Sequence, residues 1–183
     1  MFVPPTLRGL AAVCGLVLAS CASNGGRQAS TAVECRQSPE QDLLRLVNIQ
    51  RQEHGLAPLQ VDMRLVLAAR SHADDIAKSG RIGHVGQNGS QPVDRVEREG
   101  YPWMLVGETV AAGQLQAVEV VEGWLESPPH RRDLLEPRFA AAGIALVTSR
   151  TARYEALWVM VFGAAVRDFP DQLSRCHPAG SAS

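Results

Sequence analysis

Two short apolar runs stand near the end of the chain, Ala142-Gly143-Ile144-Ala145-Leu146-Val147 and Leu157-Trp158-Val159-Met160-Val161-Phe162. Both are rich in residues that suit a pleated surface and have the length of a strand. They predict an antiparallel pair joined by the polar turn around Ser149 to Arg153. A lone hairpin is marginal in water, so the preceding segments must pack against it.

Those segments read as helices. Ser38-Pro39-Glu40-Gln41 has the features of a helix start: a capping hydroxyl, a proline for the first turn and a glutamine that closes a capping box. That helix carries Leu43, Leu44, Leu46 and Val47 on its buried face and stops at Gly55, with an extended connector at Leu56 to Leu59. Asp62 caps a second helix whose stripe holds Leu65, Ala68, Ala69, His72, Ala73, Ile76 and Ala77, and Gly80 ends it. A Gly-rich loop at 83–89 precedes a short helix opened by Ser90 and Pro92, and Tyr101 to Gly113 reads as irregular. A further helix is predicted from Leu115 to Glu126, with Ala117, Val118, Val121, Trp124 and Leu125 inward, before Ser127-Pro128-Pro129-His130 breaks it. Helices first and a hairpin last give an α+β class, with helices packed on a sheet.

The N-terminus bears on the compartment. Arg8 precedes a short apolar stretch that ends in Leu18-Ala19-Ser20-Cys21, which resembles a bacterial lipobox. Residues 1–20 are therefore expected to be a lipoprotein signal. Cys21 is the expected lipidation site, anchoring the chain to a membrane, and residues 21–37 a polar tether. Ala22 after that cysteine favours the periplasmic face of the outer membrane if the host has two membranes. Of the four cysteines, Cys14 leaves with the signal, and Cys35 and Cys176 remain to form a disulfide across the domain at 38–176, with 177–183 as a tail. Closing a loop of about 140 residues contributes roughly 5 kcal/mol at most. A net charge of −1 offers no basic field for nucleic acid, so that class is dropped. A monomer is expected.

Four ordered stretches then resemble the CAP superfamily, also called SCP, of cysteine-rich secretory, antigen 5 and pathogenesis-related proteins. They are Asp62-Met63-Arg64-Leu65 running into Ala68-Ala69-Arg70-Ser71-His72-Ala73; Gly83-His84; Gly107-Glu108-Thr109; and Trp124-Leu125-Glu126-Ser127-Pro128-Pro129-His130-Arg131. The closer resemblance is to short exported bacterial members. It implies a three-layer α-β-α sandwich and a central cleft holding His84, Glu108 and His130. Many members place a second acid three residues after the helix tryptophan, where this chain has Ser127. Either the full set of four is absent or Glu126 or Glu122 substitutes. Thr109 and Pro129 also depart from the family pattern.

Two imidazoles and a carboxylate are suitable ligands for a divalent ion such as Zn2+, so His84, His130 and Glu108 form a candidate metal set. No short chelating motif supports it. Hydrolysis would need a base, such as Glu108 or a histidine, and a nucleophile, for which Ser127 is the candidate. There is no Gly-x-Ser-x-Gly elbow. The expected function is a lipid-anchored envelope module that binds a small lipid or other envelope ligand through a cleft of His84, Glu108, Glu126 and His130. The alternative is a metal-dependent or serine-type hydrolase. Exposure of Tyr101, Trp103, Met104, Leu105 and Val106 would favour lipid binding. His54 reads as a helix-end cation, His72 as a hydrogen-bonded core histidine, and His177 as part of the tail.

Overall fold

The computed structural model describes residues 37–149 and 153–166. The expected signal, Cys21, the tether up to residue 36, the Cys35–Cys176 pair and the tail lie outside the described residues.

The first helix, α1 (Pro39–Glu53), begins at the expected capping box, in which Ser38 and Gln41 satisfy each other's backbone amides. A two-residue strand, β1 (Gln60–Val61), follows the connector. Asp62 caps α2 (Met63–Ser79) by accepting from the Arg64 amide, and Gly80 ends it in the left-handed region. Then come α3 (Pro92–Arg98), β2 (Trp103–Ala112), α4 (Ala117–Glu126), α5 (Pro128–Leu134), β3 (Ala141–Thr148) and β4 (Ala156–Ala165).

The four strands form one sheet in the order β1-β3-β4-β2, with β1 parallel to β3 and the other pairs antiparallel. β4 is buried along its whole length. Its alternation divides the core. Leu157, Val159 and Val161 join α2 and Val96 of α3 on one face. Trp158, Met160 and Phe162 join α1 and α4 on the other. The result is the expected α+β sandwich, helices on both sides of a sheet.

Gly143 of β3 lets α2 lie directly on the strand, since a Cβ there would sit 2.0 Å from backbone atoms of Leu65 and Val66. Arg51 of α1 is fully buried and donates to the carbonyls of Ala57, Leu134, Glu136 and Phe139 at 2.8–3.0 Å. It thereby fixes the segment between α5 and β3.

Three local expectations are corrected. The segment at 101–113 is not irregular: β2 pairs with β4 from Trp103↔Ala165 to Ala112↔Leu157. Its Gly, Glu and Ala residues are poor strand formers, and pairing with the buried β4 overrides that propensity. Within the 100–106 segment Tyr101 is buried, Leu105 and Val106 pack against the two cores, and Trp103 is exposed with its Nε1 donating to Glu97. Pro128-Pro129 breaks α4 but also starts α5, because proline suits a first helical turn. On α4, Val120 is buried and Val118 is exposed, so the buried face is rotated from the one expected.

Candidate ligand cleft

The site is built outward from Glu108. Alternation along β2 puts Val106, Glu108 and Val110 on the α2 side of the sheet, opposite Leu105 and Ala111. The Glu108 side chain is about 1% exposed, and a carboxylate so buried needs cations or donors. Arg95 of α3, itself 2% exposed, donates from Nη2 to Glu108 Oε2 at 2.7 Å. His84 Nδ1 donates to Oε1 at 3.0 Å. His72 of α2 places Nε2 2.7 Å from the Gly83 carbonyl and 3.5 Å from the same Oε1. The Gly83 carbonyl is only an acceptor, so Nε2 carries the proton.

The loop that presents His84 is held from several sides. Arg95 also donates to the carbonyls of His84 and Ser90, at 3.0 and 2.9 Å. Asp75 of α2 accepts from the Gln87 amide at 2.7 Å. One arginine therefore neutralises the buried carboxylate and ties the loop to it. His84 itself remains about half exposed.

A cleft of about 330 Å3 opens beside β2, one of the two edge strands of the sheet, lined by His84, Gly107, Glu108, Pro129, His130 and Asp133 among others. Gly107 is required here because a Cβ would meet the Phe139 ring at 2.8 Å. The hydrogen bond that His84 donates to Glu108 raises the His84 pKa above the ordinary imidazole value. Burial lowers that of His130, and charge on His84 lowers it further. Burial raises that of Asp133. The cleft thus holds one imidazole biased toward its cation and another biased toward its neutral form.

His84, Glu108 and His130 are brought to one cleft. Glu126 is not: it is exposed and lines a separate groove with Leu125, Arg131 and Glu136. The carboxylate beside the histidines is Asp133, one helical turn after His130 on α5. That i, i+3 spacing was a usable signal, hidden while Pro128-Pro129 was read only as a break. Ser127 joins α4 to α5, and its carbonyl accepts from the Arg131 amide. It is not part of the cleft lining. Arg95 had no sequence signal, because its role depends on α3 lying over Glu108. The core reading of His72 agrees with its burial, but its closeness to Glu108 was not foreseen.

Both Glu108 oxygens are already engaged by Arg95 and His84, so Glu108 is placed to orient the His84 ring and not to serve as a third ligand beside His84 and His130. Among the described residues no three His, Cys, Asp or Glu side chains are placed to share an ion.

The profile of the CAP, cysteine-rich secretory protein family matches residues 44–162. The chain belongs to the CAP family. Its sequence is 34% identical over 110 residues to the uncharacterized protein YkwD of Bacillus subtilis, a match covering 60% of this chain and 43% of the relative. An extracellular SCP-domain protein of Bacillus anthracis superposes with a TM-score of 0.62 at 27% identity, over 69% of this chain and 40% of that one. An outer surface protein of Borrelia burgdorferi shares the fold, with a TM-score of 0.64 at 23% identity over 69% of this chain and 92% of that one. This chain therefore spans less than half of YkwD and of the Bacillus anthracis protein. Among its described residues no helix is long and apolar enough to cross a membrane.

Proposed function

We propose that this CAP domain is a ligand-binding module of the cell envelope, exported and anchored through lipid on Cys21. The observation that carries the reading is the buried Arg95–Glu108–His84 chain, which holds a half-exposed imidazole at the wall of an open cleft. Holding a charged network in place is costly and serves to preorganise the group it presents. The ligand is a small envelope molecule with an acceptor for the His84 ring and a polar group that meets His130 and Asp133. The lipobox-like Leu18-Ala19-Ser20-Cys21 and the similarity to an extracellular protein of Bacillus anthracis and an outer surface protein of Borrelia burgdorferi support the location. In a double-membraned host the anchor would face the periplasm from the outer membrane.

The hydrolase alternative has no support in the geometry. Ser127 is absent from the cleft lining, and Glu108 is committed to Arg95 and so poorly placed to act as a base.

The test follows the imidazole resonances of His84 and His130 while soluble peptidoglycan fragments and phospholipid micelles are added separately. One of these probes should move both resonances saturably, and a His84→Ala/His130→Ala variant should lose the binding. Resonances indifferent to every probe would end this reading. Replacing Cys21 with serine should move the protein from the membrane to the soluble fraction. Unchanged partitioning would refute the anchor.

A further inference from the structure

We propose that the open edge of β3 docks an extended segment of a partner protein, apolar along its length and carrying a basic residue at one end. The sheet order β1-β3-β4-β2 puts this edge on the far side of the sheet from the cleft, which opens beside β2.

Backbone pairing calls for an extended chain. β3 pairs with β4 along all eight of its residues, but β1 covers only Ala141 and Ala142, because the chain leaves the sheet at Asp62 to start α2. From Gly143 to Thr148 the other side of β3 has no strand partner among the described residues. The Ala142 carbonyl accepts from the Asp62 amide at 3.1 Å, so it points outward. Alternation turns the N–H and C=O of Ile144 and Leu146 the same way. Arg70 Nη1 reaches the Leu146 carbonyl at 3.4 Å and marks the far end of the open stretch. Such an edge is a template for another strand, and proteins guard edges with charge, proline or a bulge. β3 reads Ala-Ala-Gly-Ile-Ala-Leu-Val-Thr and runs in unbroken register, so it has none of these guards.

Shape and charge specify the segment. A groove of about 360 Å3 opens at this edge. Ala142 and Ile144 line it from β3, Leu44 from α1 and Val66 from α2, and Val61, 58% exposed, stands where β1 stops. A strand that continues the line of β1 would bury apolar side chains against these walls while its backbone meets Ile144 and Leu146. Glu40 of α1 lines the same groove, and its carboxylate has no hydrogen bond or ion pair with any described residue. A lysine or arginine at the end of the segment beside Ala142 complements it. A second copy fits less well. α2 is seated directly on β3 at Gly143. Paired strands stand about 4.8 Å apart and packed helices about 8–10 Å, so edge-to-edge copies would crowd their α2 helices. A single strand brings no helix with it.

The test titrates the intact chain, purified in non-ionic detergent, with a fluorescein-labelled Lys-Val-Ile-Val-Thr peptide, followed by polarisation. Hydrogen exchange then locates the peptide. Saturable binding is expected, with exchange slowed at the Ile144 and Leu146 amides. The same peptide methylated on its backbone nitrogens cannot pair and should not bind. Glu40→Gln should weaken the lysine peptide roughly threefold, the effect of a partly exposed ion pair. It should leave a peptide with glutamine in place of the lysine unchanged. The Glu40 side chain holds no other group, so this variant should fold. No saturable binding, equal binding of the methylated peptide, equal effects of Glu40→Gln on both peptides, or slowed exchange at 84–90 instead of β3 would each overturn the proposal. So would a concentration-dependent dimer that the peptide breaks, which would give the edge to a second copy. Binding seen only after deletion of residues 22–36 would give it to the chain's own tether and overturn the proposal as well.

Discussion

Replacing Arg95 with leucine tests whether one residue holds the cleft together. The substitution removes the cation 2.7 Å from Glu108 and, with it, donors to the carbonyls of His84 and Ser90. Glu108 is left almost fully buried with a fixed negative charge and only His84 and His72 beside it. Breaking one partner out of a buried pair costs about 3–5 kcal/mol, because the remaining charge is uncompensated. Urea unfolding reads this directly. With a slope of roughly 1–3 kcal/mol per molar, the midpoint should fall by about 1 M or more without a change of slope. Domains of this size hold about 5–15 kcal/mol in all, so the variant can fail to fold. Arg95→Lys covers that case. It keeps the charge but cannot span Glu108 and both carbonyls at once, so an intermediate loss is expected. The double variant Arg95→Leu/Glu108→Leu removes both charges and should recover much of the stability, giving a coupling of about 2 kcal/mol or more. A loss below about 1 kcal/mol in both single variants, with coupling near zero, would refute the role given to Arg95.

The other predictions concern pH and packing. In the folded protein His84 should titrate above the ordinary imidazole value and His130 below it, as read by ring NMR. A raised folded pKa means that the His84 contribution to stability is full below about 6.5 and fades as pH rises through the folded value. The lowered pKa of His130 acts the other way, its contribution being present above about 6.5 and lost as pH falls. Glu108→Gln should bring His84 back toward the ordinary range, and an unchanged His84 titration would show that the carboxylate is not the cause. Gly143→Ala must push α2 off the sheet, since the added carbon meets backbone at 2.0 Å. A loss of about 3 kcal/mol is expected in thermal unfolding, and an unchanged Tm would contradict the close approach. Arg51→Lys leaves at least one of four carbonyls without a donor and should cost about 2–3 kcal/mol; equal stability in urea would show that these bonds are dispensable.

What the sequence made legible was local or strongly periodic. Ser38, Asp62 and Gly80 mark helix ends by chemistry that acts within a few residues, and each stands where it was expected. The β3–β4 hairpin was legible because its apolar content exceeds anything a surface strand tolerates. β2 was not, because a strand that carries Gly107 and Glu108 in its middle has its reasons elsewhere, in the Phe139 ring and in Arg95. The same division holds for the site. His84, Glu108 and His130 came from ordered motifs shared with a family, while Asp133 and Arg95 depend on where α5 and α3 settle. Glu126 was misplaced for a related reason. It follows Trp124 closely in sequence, but the helix turns it outward while Trp124 points in.

The placement of Glu108 explains why the cleft tolerates so many short and irregular parts around it. A carboxylate in the middle of β2, opposite Val161, is backed by β4, a strand buried along its whole length. Three elements on one side of the cleft are then referred to that fixed charge: Arg95 from a seven-residue helix, His84 from a Gly-rich loop, and His72 from the long helix behind them. Short elements hold few contacts of their own and open locally at low cost. Tying them to one buried charge makes their positions mutually dependent. Loss of Arg95 should therefore release the His84 loop as well as unpair Glu108, and hydrogen exchange should show the 84–90 amides losing protection before those of β4.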